Sequence, residues 1–226
     1  MPGASKLTIE NVIRNAEKTE RGIWKHLNIP LPAWGTTAGV PLAAIGAGAV
    51  GYAASVAASP NCLQSIRFAA AATTTDIIQT ALAVPPDFRA QVSASTPKLV
   101  LFMRCRLLDT TGSATANADF AFTAQAFWHK TADTALSTLA TAVTTIIGAT
   151  DYVATDEAGF VLYKWDIGAA MTAAQLALLG PLDTLNIQIA PDQAVGTALA
   201  AEIVNTFLMY EGHASIPASV LSTLSL

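Results

Sequence analysis

The chain has 226 residues, a net charge of -4, and charged side chains at only 12% of positions. That length admits one large domain or a smaller one with an arm. The charged fraction is well below the usual figure of about 25%. With Ala and Thr standing where Lys and Glu are customary, it suits a surface covered by other subunits better than that of a freely diffusing enzyme, and the negative balance gives no electrostatic case for nucleic acid.

The opening MPGASKLTIENV is polar and is not a secretory signal, so synthesis in a reducing cytoplasm is expected. Lys6, Arg14, Lys18, Arg21 and Lys25 alternate with Glu10, Glu17 and Glu20 at helical spacing, the pattern of a solvated helix face. Ile9, Val12, Ile13, Ala16, Ile23 and Trp24 form a stripe near period 3.6 behind Thr8 as cap, which predicts a helix over Thr8–His26. Its packing partner is either the chain's own body or a neighbouring subunit.

From Lys25 to Arg67 there is no intervening Asp, Glu, Lys or Arg. The neutral stretch is long enough to span a bilayer, but Pro30, Pro32, Pro41 and Pro60 interrupt it and five glycines dilute it, so no membrane helix is expected. Asn28–Gly39 reads as extended. Trp34 within it is either an interface anchor or folded back on the core. Gly46-Ala47-Gly48-Ala49-Val50-Gly51 fits the spacing of a dinucleotide loop between a strand at Val40–Ile45 and a helix at Tyr52–Ala58. The acid expected after a second strand is missing and no further βαβ units follow, so no cofactor is assigned.

Beyond Arg67 the period becomes two. Leu99, Leu101, Met103, Cys105 and Leu107 share one face, with Val100, Phe102, Arg104 and Arg106 on the other. Similar strands are predicted at Phe120–Trp128, Val161–Ile167, Leu185–Ile189 and Ile203–Glu211, the last with Asn205, Phe207 and Met209 opposed to Val204, Thr206, Leu208 and Tyr210. Weaker candidates are Ser65–Ala70, Asp76–Val84 and Ser137–Ile147, bringing the total to roughly eight, the number of a jelly-roll sandwich. Thr172–Leu179 reads as a helical turn stopped by Gly180-Pro181, and Ser215–Leu226 as a surface tail.

Chemistry-bearing patterns are sparse. His26, His129 and His213 lie in no metal-ligand spacing. Asp151, Asp156 and Glu157 share a loop without matching an EF-hand and read as solvated. There is no nucleophile elbow, zincin signature or phosphate loop. Of the two cysteines, Cys62 and Cys105, the second points inward as a small hydrophobe, and without a Cys-x-x-Cys pair no disulfide scaffold is implied. No catalytic, metal or cofactor residue is therefore assigned.

The sequence of Val84-Pro85-Pro86-Asp87-Phe88, the strand and turn Leu99–Gly112, the entry Leu182-Asp183-Thr184-Leu185 and the closing Asn205–Tyr210 resembles the jelly-roll decoration (cement) proteins of tailed bacteriophage capsids, over about residues 63–214. The resemblance implies a mainly β fold, a jelly-roll-like antiparallel sandwich, here with an N-terminal helix and extended arm over 1–62, the sandwich over 63–214 and a tail over 215–226. It implies a non-enzymatic virion protein assembled in the host cytoplasm, trimeric, whose partners are the major capsid protein or other virion subunits, with neither nucleic acid nor membrane. Ile23, Trp24, Trp34, Tyr52, Trp128 and His129 are the candidate interface residues. The competing expectation is a receptor- or carbohydrate-binding jelly roll of a tail or fibre, which Trp128, Tyr152 or Tyr163 clustered with carboxylates on exposed loops would favour.

Overall fold

Alternation of apolar and polar residues, read as strands, becomes two faces when the strands pair. The computed structural model describes residues 23–45, 49–54, 64–69, 71–89, 99–108, 120–130, 137–138, 143–147, 160–170, 179–191 and 200–213. They form β1 (Ile23–Ile29), β2 (Gly35–Thr36), β3 (Val50–Ala54), β4 (Gln64–Phe68), β5 (Ile78–Ala83), β6 (Leu99–Leu108), β7 (Phe120–His129), β8 (Ser137–Thr138), β9 (Val143–Ile147), β10 (Val161–Asp166), β11 (Thr184–Pro191) and β12 (Ala200–Gly212). One sheet runs β10-β6-β12-β4-β3, with β1 also on β12; the other runs β2-β5-β11-β7-β8, with β9 also on β7.

The pairing is that of a jelly roll. With the two-residue β8 set aside, the strands from β4 onward pair first with last and inward from there: β4 with β12, β5 with β11, β6 with β10, and β7 with β9, all antiparallel. A long hairpin folded over in this way yields two sheets whose inner faces meet. The expected antiparallel sandwich is therefore present, and the five strong strand predictions fall on β6, β7, β10, β11 and β12.

Inward side chains follow the parity seen in the sequence. Leu101, Met103, Cys105 and Leu107 of β6 face Phe122 and Ala126 of β7 and Leu185, Ile187 and Ile189 of β11, all essentially inaccessible. Phe68 and Phe122 bridge the two sheets as a tilted ring pair with centroids 5.8 Å apart. Each such side chain contributes roughly 1.5–3 kcal/mol by leaving water. Burial pushes the Cys105 thiol far up, which keeps it inert.

β12 departs from simple alternation. Its register against β6 shifts between Ile203 and Asn205, so Ala201 and Ile203 face inward before the bulge and Thr206, Leu208 and Tyr210 after it.

The leader differs from its expectation. Residues 23–26, the end of the predicted helix, belong to β1, which pairs along β12 from Ile23↔Gly212 to Ile29↔Thr206; the rest of that helix lies outside the described residues. Tertiary pairing overrides the helical stripe here. Residues 23–54, expected as part of an extended arm, instead supply β1, β2 and β3 to the same two sheets. Trp34 is fully buried. Its Nε1 donates to Thr206 Oγ1 at 3.0 Å, and that hydroxyl donates to Ile29 O at 2.7 Å. The Tyr52 hydroxyl donates to the Leu31 and Trp34 carbonyls. Trp34 thus takes the second of its two readings, a core residue.

Gly51 explains how this segment closes. A Cβ there would lie 2.7 Å from Ala43 O and 2.9 Å from Ile45 backbone atoms, because residues 43–45 run beside β3 in a parallel bridge, Ala44 with Tyr52. Residues 50–54 are strand where a dinucleotide site requires a helix from Tyr52, so the Gly46–Gly51 nucleotide reading fails. A single helical turn, Ile167–Ala170, follows β10. The turn predicted at 172–179 falls, apart from Leu179, outside the described residues, as does the tail. Among the described residues no helix is long and apolar enough to cross a membrane.

At one end of the sandwich Lys25 Nζ pairs with Asp87 Oδ2 and donates to His213 O, while the Tyr210 hydroxyl donates to Asp87 Oδ1. Burial first, then the hydrogen bond and charge of Asp87, pushes the Tyr210 pKa up to about 12.

Two outcomes follow from this packing. Trp34→Ala costs about 3–5 kcal/mol in urea unfolding, whereas a leader independent of the body would leave the midpoint unmoved. An unfolded tyrosine ionises near 10, so the Tyr210 contribution is complete below about pH 10 and is lost as pH rises through about 12, by roughly 3 kcal/mol. Stability measured across that range falls less steeply in Tyr210→Phe.

Candidate functional site

The outer face of the β12 sheet carries the side chains of opposite parity to the core, and pairing sets them in rows across β1, β12, β6 and β10. One row is His26, Met209, Val100 and Asp166; the next is Asn28, Phe207, Phe102 and Lys164; the third is Asn205, Arg104 and Leu162. With strands about 4.8 Å apart, four of them span about 14 Å. Trp24, opposite Glu211, extends the face at one end.

Phe102 and Phe207 stack at the centre, rings 4.9 Å apart and 5° from parallel. Both remain partly exposed, as does Met209. Leu162 is 55% exposed and Trp24 44%. Polar groups surround this apolar centre: Asn28, Asn205 and Lys164 are exposed, and Arg104, Asp166 and Glu211 are partly so. An apolar middle with a charged rim is the anatomy of a protein-docking surface, and contiguous exposed apolar area on a monomer marks an interaction site.

Beyond the third row, the same outer side holds a buried ionic cluster. Glu202, fully buried, accepts from Arg106 Nε at 2.9 Å through Oε2 and from Arg67 Nε at 2.9 Å through Oε1; Arg106 Nη2 lies 2.8 Å from Oε2, and Arg67 Nη2 also pairs with Oε1. Ser65 Oγ adds a contact of 3.3 Å. The guanidinium carbons of Arg104 and Arg106 lie 5.0 and 4.7 Å from the Phe160 ring centroid, within cation–π range. A carboxylate shared by two arginines fixes the relative positions of β4, β12 and β6.

The outer face of the β11 sheet is chemically different. Gln79, Gln188 and Gln125 lie in register across β5, β11 and β7, with Gln188 Nε2 donating to Gln79 Oε1 at 3.1 Å. Thr184 is opposite His129.

Of the interface candidates, Ile23 and Trp24 are exposed on β1, 40% and 44%. Trp34 and Trp128 are buried at 0% and 5%; both inner positions leave nothing for a partner. Tyr52 is partly buried, with its hydroxyl pKa raised by burial, and His129 is partly buried on the opposite sheet. The structure therefore does not bring the six together. Phe102, Phe207, Met209 and Leu162 were missed as site residues. Their signal was an apolar residue on the polar parity of a strand. Tyr163 is buried at 6%, so neither it nor Trp128 forms an exposed aromatic cluster; Tyr152 and the carboxylates 151, 156 and 157 lie outside the described residues. Among the described residues no group of three or more His, Cys, Asp or Glu is placed to hold a metal ion.

No protein-family model and no curated protein matches the sequence. Similar solved structures include the xylan-binding module CBM15, at 11% identity, covering 84% of this chain and 99% of that one, with a TM-score of 0.42. Another is the non-crystalline cellulose-specific module CBM28, at 11% identity, 80% and 88% coverage and a TM-score of 0.44. A third is the VP2 subviral particle of infectious bursal disease virus, at 9% identity, 69% and 34% coverage and a TM-score of 0.29. These scores are low, and the jelly-roll assignment rests on the strand pairings themselves.

Glu202→Gln removes the carboxylate charge from the buried Arg106 guanidinium and the partly buried Arg67 and costs about 3 kcal/mol in denaturant unfolding; a change within experimental error contradicts this cross-strand tie.

Proposed function

We propose that the protein is a non-catalytic structural subunit of a bacteriophage virion, of the capsid-decorating kind, joined to neighbouring polypeptides through the outer face of the β12 sheet. The observation that carries this reading is the Phe102–Phe207 stack, held partly exposed among Met209, Leu162 and Trp24 on a sheet whose strands an ionic cluster ties together. A stacked aromatic pair at the centre of a polar rim is the arrangement of an interface hot spot. The low charge of the chain supports the same reading, since a covered surface needs little charge for solubility.

A second reading attaches to Trp24. It is exposed on β1 beside His26 and Asn28, whose side chains share its face. An exposed indole flanked by hydrogen-bonding groups also suits a sugar ring, the chemistry of a carbohydrate-binding jelly roll.

Phe207→Asp separates the two. It places a carboxylate on the apolar centre without touching the core, so attachment to purified particles in co-sedimentation falls at least about thirtyfold while the melting temperature holds. If attachment survives and Trp24→Ala instead abolishes binding to a panel of oligosaccharides, the carbohydrate reading replaces the structural one.

A further inference from the structure

We infer that a second copy of this chain covers the outer face of the β12 sheet, related by a twofold axis parallel to the strands and midway between β6 and β12. The inference rests on the proposed use of this face for assembly and names its immediate occupant.

A twofold axis in that position exchanges β12 with β6 and β1 with β10 while leaving each row opposite itself. In the central row, Phe207 of one copy meets Phe102 of the other, and Asn28 meets Lys164. In the row beside it, Met209 meets Val100 and His26 meets Asp166. In the third row, Asn205 meets Arg104. Phe102 and Phe207 thus face each other's apolar rings, Met209 faces the largely buried Val100, Lys164 and Arg104 face neutral amide side chains, and His26 faces a carboxylate. The two stacked pairs continue one another across the contact.

The alternative twofold axis, running across the strands through the central row, fails on charge. It sets Lys164 against Lys164 and Asp166 against Leu162. Like charges brought together in a contact oppose association. Of the two in-plane axes aligned with the rows, the surface is self-complementary about the one along the strands. Such a contact is isologous and closes at two copies, which makes the free protein a dimer rather than the trimer implied by the resemblance to cement proteins.

Two measurements on the full chain test this. Sedimentation equilibrium of the wild type is expected to give twice the 23.4 kDa of one chain, and Phe207→Asp to return it to that mass. Separately, F102C and F207C proteins are mixed under mild oxidation and the disulfides identified by peptide mass spectrometry. The expected product is the mixed 102–207 dimer, in at least tenfold excess over either self-linked dimer. A trimer, or a dimer dominated by 102–102 and 207–207 links, overturns the inference. A monomer at high concentration also overturns it; if particle attachment is then still lost in Phe207→Asp, the assembly reading stands with a different occupant, and if attachment is indifferent to Phe207, both fall.

Discussion

β12 is bonded on both edges, and its buried polar side chains decide where the rest of the chain goes. β6 runs along one edge, and β4 and then β1 along the other. Glu202, Thr206 and Tyr210 are each buried on this strand, and a buried polar group is costly unless partnered. Glu202 finds Arg67 and Arg106, Thr206 finds Trp34 and Ile29, and Tyr210 finds Asp87. The bulge between Ile203 and Asn205 makes this division possible. Without it, Glu202 and Thr206, four residues apart, would point to the same face. With it, Glu202 ties the outer side of the sheet while Thr206 and Tyr210 tie the leader and the 84–89 turn to the inner side.

The candidate face is a consequence of the same bulge. The shift in register brings Phe207 opposite Phe102 and Asn205 opposite Arg104. The salt-bridged Glu202 cluster holds β4, β12 and β6 in fixed relation, so the aromatic pair is presented without further ordering. A preorganised surface loses little conformational entropy on association, which favours lasting contacts within an assembly. Among the described residues, the neutral amide row on the opposite sheet has no comparable apolar centre. The two outer faces are therefore suited to different surroundings.

Much of the sandwich was legible in the sequence, because half-buried strands carry their own period. The alternation of Leu99 to Leu107 with Val100 to Arg106 located β6 and both of its faces. The leader was not legible. A neutral segment rich in proline and glycine has no period, and it looks the same whether it packs on its own chain or on another. Trp34 shows the difficulty, since its burial depends on Thr206, 172 positions away. The candidate face was half legible. Phe102 and Phe207 fall on the polar parity of their strands without being singled out there, and their adjacency depends on a bulge that the residues around Val204 do not announce.

The central claim is that the outer face of the β12 sheet is where the protein is covered in its assembly. Hydroxyl-radical footprinting of the intact protein, first diluted until sedimentation shows single chains and then bound to its particle, reads this residue by residue. Trp24, Phe102, Phe207 and Met209 are expected to lose reactivity on binding while Phe127 and His129 keep theirs. The reverse pattern, with Phe127 and His129 protected and the aromatic face unchanged, would contradict it.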